Sequence, residues 1–254
     1  MKATRARTYW DEASWPWEAV AIVVAVDVVG LALARFVGGW LIWGPTRAME
    51  AGATDAFMSI AGNWPIAARM LLVAAFAMYF TGRGVPPRAF GIVRSGFRKR
   101  LGEFGRCLLV ILPLAAALTM MSILFFRMGG YRELIHPPLH LGTSSQAWQW
   151  ILVFVVALPP LEEFLYRGIV HPVLRRRFDP IAAAALGGVL FGVVHWLYGI
   201  DLVSLPAYAL GGFALAWVYE RTGSLLFPWM LHVATNLAAV WISSYPGLFE
   251  ALRT

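Results

Sequence analysis

The sequence predicts an all-α, polytopic transmembrane helical bundle of about seven (six to eight) spans. Three observations carry that prediction. Of 254 residues, 59% are hydrophobic and 14% are charged, against about 25% charged in soluble domains. Apolar stretches long enough to cross a bilayer recur along the chain. Tryptophans gather at the ends of these stretches, and Lys and Arg collect in alternate connections.

The first apolar stretch covers Trp17–Leu41. Ala32-Leu33-Ala34 resembles a signal cleavage site, but Asp27 interrupts the apolar core and Glu18 abuts it. It therefore reads as an uncleaved helix. The others cover Trp64–Phe80, Cys107–Phe126, Trp148–Leu174, Ile181–Leu197, Leu202–Val218 and Leu225–Ile242. Trp15, Trp17, Trp40, Trp43, Trp64, Trp148, Trp150, Trp196 and Trp229 sit at or near their ends as interfacial anchors.

The basic residues give an orientation. Lys2, Arg5 and Arg7 precede the first span, and Arg83, Arg88, Arg94, Arg98, Lys99, Arg100 and Arg106 lie between the second and third. Arg175, Arg176 and Arg177 follow the fourth, and Arg221 follows the sixth. The opposite loops hold only Arg47, Arg127 and Arg132. The basic side is cytoplasmic by the positive-inside rule, so the N-terminus is expected inside, in a bacterial inner membrane. The net charge of +7 is thus a topology signal. No nucleic-acid partner is expected, because no long solvated segment carries the charge. The lone Cys107 allows no intramolecular disulfide and reads as inert packing. The segment Gly84–Gly105 is basic with interspersed Phe90, Ile92, Val93, Phe97, Leu101 and Phe104. It reads equally as a helix lying flat on the inner leaflet or as a solvated loop.

Ionisable groups inside the spans are the functional signal. The fourth span holds Glu162, Glu163, Arg167 and His171, the fifth His195, and the seventh His232 with Asn236 one turn on. Counting from the cytoplasmic ends at 1.5 Å per residue, Glu162 lies roughly 18 Å up, His195 roughly 21 Å, and His232 and Asn236 roughly 10 and 16 Å. One pocket could collect all of them. Glu163 and Arg167 are four residues apart and can pair on one face, leaving Glu162 turned about 100° away for another role. Phe191 shares a face with His195 and could shield the site. Gly187, Gly188 and Gly192 permit close helix approach. Pro159 and Pro160 leave carbonyls unpaired and should kink the helix before the glutamates.

A carboxyl desolvated in a bilayer has its pKa raised toward neutrality, which suits a general base. Glu162 with His195 could deprotonate a water, while His232 and Asn236 could donate to an oxyanion. There is no His-Glu-x-x-His zinc helix and no pair of intramembrane aspartates. No cofactor is expected, although Glu162, His195 and His232 are ligand types that zinc accepts. The bland readings stand beside these. Each polar group alone could be a structural interhelical partner. His171 reads as structural, and His136-Pro-Pro-Leu-His140 as loop. Arg69 is expected to snorkel outward, without pairing to Asp27.

The ordered set Glu162-Glu163-x-x-x-Arg167, Phe191-x-x-x-His195 and His232-x-x-x-Asn236 resembles the CAAX protease and bacteriocin-processing (CPBP, or ABI) family of intramembrane glutamic endopeptidases. Tyr219-Glu-Arg-Thr-Gly-Ser-Leu225 resembles it too, and the likeness covers about Trp148–Ser243. The resemblance implies a catalytic core over 147–254, with N-terminal helices and a cytoplasmic basic loop over 1–146. It implies that Glu162 and His195 activate water, that His232 and Asn236 hold the oxyanion, and that Glu163 with Arg167 is structural. The implied partners are the lipid bilayer and a membrane-associated peptide or protein, prenylated or bearing a sorting signal. Two other readings stay open: a catalytically inert immunity or scaffold relative, and a proton-coupled transporter.

Overall fold

The computed structural model describes residues 21–25, 64–93, 95–129, 151–197 and 204–245, with 247, 250 and 251. Among the described residues every long element is helical: α1 (Trp64–Gly82), α2 (Phe97–Met128), α3 (Leu158–Glu163), α4 (His171–Arg177), α5 (Pro180–Leu197), α6 (Leu205–Thr222) and α7 (Leu226–Ser243). Most of the first predicted span, Asp27, and His136 to His140 lie outside the described residues.

α2 shows what surrounds the bundle. Leu109, Val110, Leu112, Leu114, Met120, Met121, Leu124, Phe125 and Met128 are all exposed. In water such a surface would aggregate; in a bilayer it needs no cover. Among the described residues, α2 and α7 are long and apolar enough to cross a membrane.

The fourth predicted span is a helical run of four pieces. π-helical turns Ile151–Ala157 and Phe164–Val170 flank the α-helical turns of α3, and α4 continues to Arg177. Pro159 and Pro160 fall in the first turn of α3, where a missing N–H is tolerated. The expected kink takes another form, and the Phe154 carbonyl before the prolines is paired with Asn236 Nδ2 at 2.6 Å. Val155 O would look for a donor at residue 159 or 160, and both are proline. The distortion is a widened turn, with helical dihedrals kept at Ala157 (φ −86°, ψ −46°).

Two apolar clusters hold the helices together. Phe76, Phe80, Phe90, Leu165, Ile169, Val170 and Phe191 belong to the larger. Phe104, Cys107, Leu215, Val218, Phe227 and Leu231 form the smaller, so the lone cysteine is indeed packing. α5 begins on Asp179, whose Oδ1 accepts the N–H groups of Ile181 (2.9 Å) and Ala182 (3.1 Å). Of the three glycines expected to permit close approach, Gly188 and Gly192 lie against the backbone of α6 and Gly187 does not. A Cβ at Gly188 would lie 2.5 Å from Ala209 O and 2.7 Å from Phe213 N. Backbone cannot yield, so Gly188→Val is expected to destabilise the bundle by about 3 kcal/mol. Thermal unfolding in detergent tests this against Gly187→Val, since a Cβ at Gly187 meets only Leu174 Cδ1 at 3.8 Å.

The basic segment is neither a flat amphipathic helix nor a solvated loop. Pro87–Phe90 forms a 3₁₀ turn that buries Ala89 and Phe90, with the Phe90 ring 5.3 Å from that of Phe164. Phe97 onward is the start of α2. Gly91 closes the turn in the left-handed region (φ 75°) with Tyr219 against it, where a Cβ would come within 2.6 Å of the ring. Its carbonyl accepts the N–H of Leu225 at 2.9 Å. Phe90 and Gly91 are thus wedged into the bundle, because an apolar ring and a paired carbonyl are more favourable inside than out.

Candidate active site

Glu162 and Glu163 end α3 and are both buried. Glu163 Oε1 accepts from Arg167 Nη1 at 3.0 Å, the ion pair that the four-residue spacing predicted. Arg167 Nη2 also donates to Gly212 O at 2.9 Å on α6. The guanidinium lies 4.9 Å from the Phe191 ring centre on α5. Arg167 therefore ties three helices together at a buried point.

His232 on α7 bridges the two glutamates. Its Nδ1 lies 2.8 Å from Glu163 Oε1, so the imidazole donates there. Its Nε2 faces Glu162 Oε2 at 3.6 Å. Glu163 consequently orients a histidine as well as an arginine, in the way that a second partner fixes an imidazole's tautomer and direction.

Phe191 sits among the imidazoles. Its ring centre is 4.3 Å from that of His195 and 5.9 Å from that of His232. His195 is half-buried, stacked at 4.7 Å on Tyr208 of α6. Its Nδ1 lies 2.8 Å from Phe191 O. A carbonyl only accepts, so Nδ1 carries the hydrogen and the neutral ring presents Nε2 as an acceptor. Asn236, half-buried on α7, donates from Nδ2 to Phe154 O at 2.6 Å. Phe154 lies in the π turn before the prolines, and the residue five beyond it is Pro159. The asparagine thereby ties α7 to the π turn and keeps a second amide hydrogen.

Arg69 overturns an expectation. Far from snorkelling outward, it is 3% exposed on α1, and its Nη1 donates to Glu162 Oε1 at 2.5 Å. Its neighbours Met70 and Leu71 face outward. Residues 69, 76 and 80 fall on one helix stripe, and all three are buried. The signal was present in the sequence. Arg69 lies roughly 17 Å above the inner end of its span at 1.5 Å per residue, the depth of Glu162.

His171 is structural in its surroundings: Nε2 meets Glu220 Oε1 at 2.8 Å, and Arg175 pairs with the same carboxylate. Glu220 belongs to the Tyr219–Leu225 stretch. There Gly223, left-handed at φ 60°, ends α6 with its N–H on Tyr219 O at 2.7 Å. That stretch is a connector that fixes how α6 turns into α7.

In comparisons with known proteins, residues 144–238 match the family model described as "Type II CAAX prenyl endopeptidase Rce1-like". The chain is also 31% identical over 96 residues to the Bacillus subtilis (strain 168) protein named "Putative membrane peptidase YdiL". That alignment spans 38% of this chain and 38% of the relative. No solved structure matches. Both similarities support the CPBP/CAAX protease family and, more coarsely, a membrane protease.

Proposed function

We propose that this chain, similar over residues 144–238 to the Rce1-like CAAX prenyl endopeptidases, is an intramembrane endopeptidase using water activated by glutamate and histidine. The observation that carries the reading is the buried cluster itself. Glu162 and His232 meet at 3.6 Å, with Glu163, Arg167 and Phe191 packed around them. A cluster this expensive to bury is retained for chemistry.

In this mechanism a water donates a hydrogen bond to His195 Nε2 and gives its other proton to Glu162 Oε2, and the hydroxide adds to the scissile carbonyl carbon. The free amide hydrogen of Asn236 then donates to the developing oxyanion, and His232, whose Nδ1–H is committed to Glu163, adds an Nε2–H donor in its imidazolium form. Collapse of the tetrahedral species breaks the C–N bond, and protonated Glu162 returns its proton to the leaving amine. Glu163 and Arg167 hold His232 and the helices in place. No metal enters this mechanism. Glu162 already faces the Arg69 guanidinium, and that positive neighbour disfavours a cation at the carboxylate.

The substrate class is a peptide associated with the membrane, prenylated or bearing a sorting signal. The protein would lie in a bacterial inner membrane with its N-terminus in the cytoplasm. The test uses protein in liposomes with a quenched, membrane-tethered peptide ending in a CAAX sequence, with and without a farnesyl group. Cleavage is expected to persist in EDTA and 1,10-phenanthroline. Loss on chelation that zinc restores would replace this mechanism with a zinc site. If folded protein cleaves neither peptide, the inert-relative reading takes its place. Proton flux that vanishes in Glu162→Gln would favour a relay.

A further inference from the structure

We infer that Arg69, on a helix outside the region similar to known proteins, is a positioning residue for Glu162. The inference rests on the endopeptidase reading above and adds a component to it. Nothing in the three motifs points to this arginine.

A guanidinium inside a bilayer bundle is costly, and its retention calls for a partner of opposite charge. Arg69 has one: its Nη1 donates to Glu162 Oε1 at 2.5 Å, with 3% and 4% of the two side chains exposed. The pair crosses from α1 to α3 and is independent of the Glu163–Arg167 pair, which lies within the fourth predicted span. Each glutamate thus has its own arginine.

Two consequences follow for the carboxylate. Its two oxygens become unequal. Oε1 is held by Arg69, whereas Oε2 faces His232 Nε2 at 3.6 Å, beyond hydrogen-bond range, and is the oxygen left for water. The bond also fixes the plane of the carboxylate, because a carboxylate held at one oxygen by a rigid donor loses rotational freedom about its last torsion. A base that must meet a water already touching His195 benefits from that fixation. Arg69 itself touches neither water nor peptide in this scheme.

The stripe on which Arg69 stands explains how it is held. Phe76 and Phe80 follow on the same face and are buried against Phe90, Leu165 and Ile169. The apolar cluster sets the rotation of α1 about its axis, and that rotation aims residue 69 at α3. Lysine at this place would keep the charge and lose the planar fork.

The experiment compares wild type, Arg69→Met, Arg69→Lys, Glu162→Gln and the double variant Arg69→Met/Glu162→Gln, reconstituted with the tethered peptides described above. Activity is normalised to folded protein. Arg69→Met is expected to lower kcat about a hundredfold, the scale of a misplaced reacting group, and to leave KM within about twofold. Arg69→Lys should recover about tenfold of that loss by keeping the charge. In thermal unfolding, Arg69→Met should fall below wild type because it strands a buried carboxylate. The double variant should regain that stability while remaining inactive. Unchanged kcat in folded Arg69→Met overturns the inference, as does an activity loss that only tracks the folded fraction. Should wild type cleave neither peptide, the endopeptidase reading fails. The unfolding series still decides the pair, and additive effects of the two substitutions would overturn it.

Discussion

Glu162→Gln is expected to lower peptide cleavage about a thousandfold, within the range that a general base contributes. Glutamine keeps the volume and one carbonyl oxygen that Arg69 can still donate to. What it loses is the capacity to take a proton from water. A second effect accompanies the first, because the amide leaves the Arg69 charge buried without its counterion. Stability should therefore fall as well, and turnover must be measured per folded molecule. From spacing alone, only Glu163 was tied to an arginine, so substitution at Glu162 would have been expected to spare the fold. The Arg69 pair removes that asymmetry in stability and leaves the asymmetry in turnover. Glu162→Gln protein that is folded and cleaves as wild type does would overturn the assignment of the base.

Arg167→Met should produce the largest loss of stability, about 3–5 kcal/mol, the cost of stranding one partner of a buried ion pair. The side chain is 2% exposed. It donates to Glu163 and to Gly212 O, and its cationic face lies against Phe191. Methionine fills most of the space and supplies none of these interactions. Glu163 would keep only His232 as a donor, so the imidazole should also lose its orientation. Unfolding temperature in detergent measures the first effect. The expected ordering is wild type, then Arg167→Lys, then Arg167→Met, since lysine keeps charge without the fork. Equal stability of Arg167→Met and wild type would show that this pair is not structural.

Much of this was legible in sequence, for identifiable reasons. Span limits were readable because lipid imposes length and composition: the predicted Ile181–Leu197 became Pro180–Leu197, and Leu225–Ile242 became Leu226–Ser243. Glu163 with Arg167, and Gly188 with Gly192, were readable because their geometry is set within one helix. Arg69 departs from expectation because its partner stands on another helix at a similar depth, which no spacing within α1 records. The basic segment differs from both expectations because composition does not reveal two local facts, the 3₁₀ turn at Pro87–Phe90 and the left-handed Gly91. Neither could the choice of partners be read. Asn236 reaching Phe154 O and His232 reaching Glu163 depend on how α7 lies across the π turns, and helix crossings are not written in periodicity.

The contacts of the α1–Gly91 region carry a consequence for how such a protein can be divided. The stretch similar to known proteins begins at residue 144. Yet Arg69 reaches Glu162, Phe90 stacks on Phe164, and Gly91 O takes the N–H of Leu225, all across that line. A graft of residues 144–238 onto foreign N-terminal helices would transplant the motifs without the groups that neutralise, wedge and tether them. Relatives that share only this stretch must therefore supply their own versions of those three contacts, or do without them, and a chimaera joined at residue 144 inherits a vocabulary without its grammar.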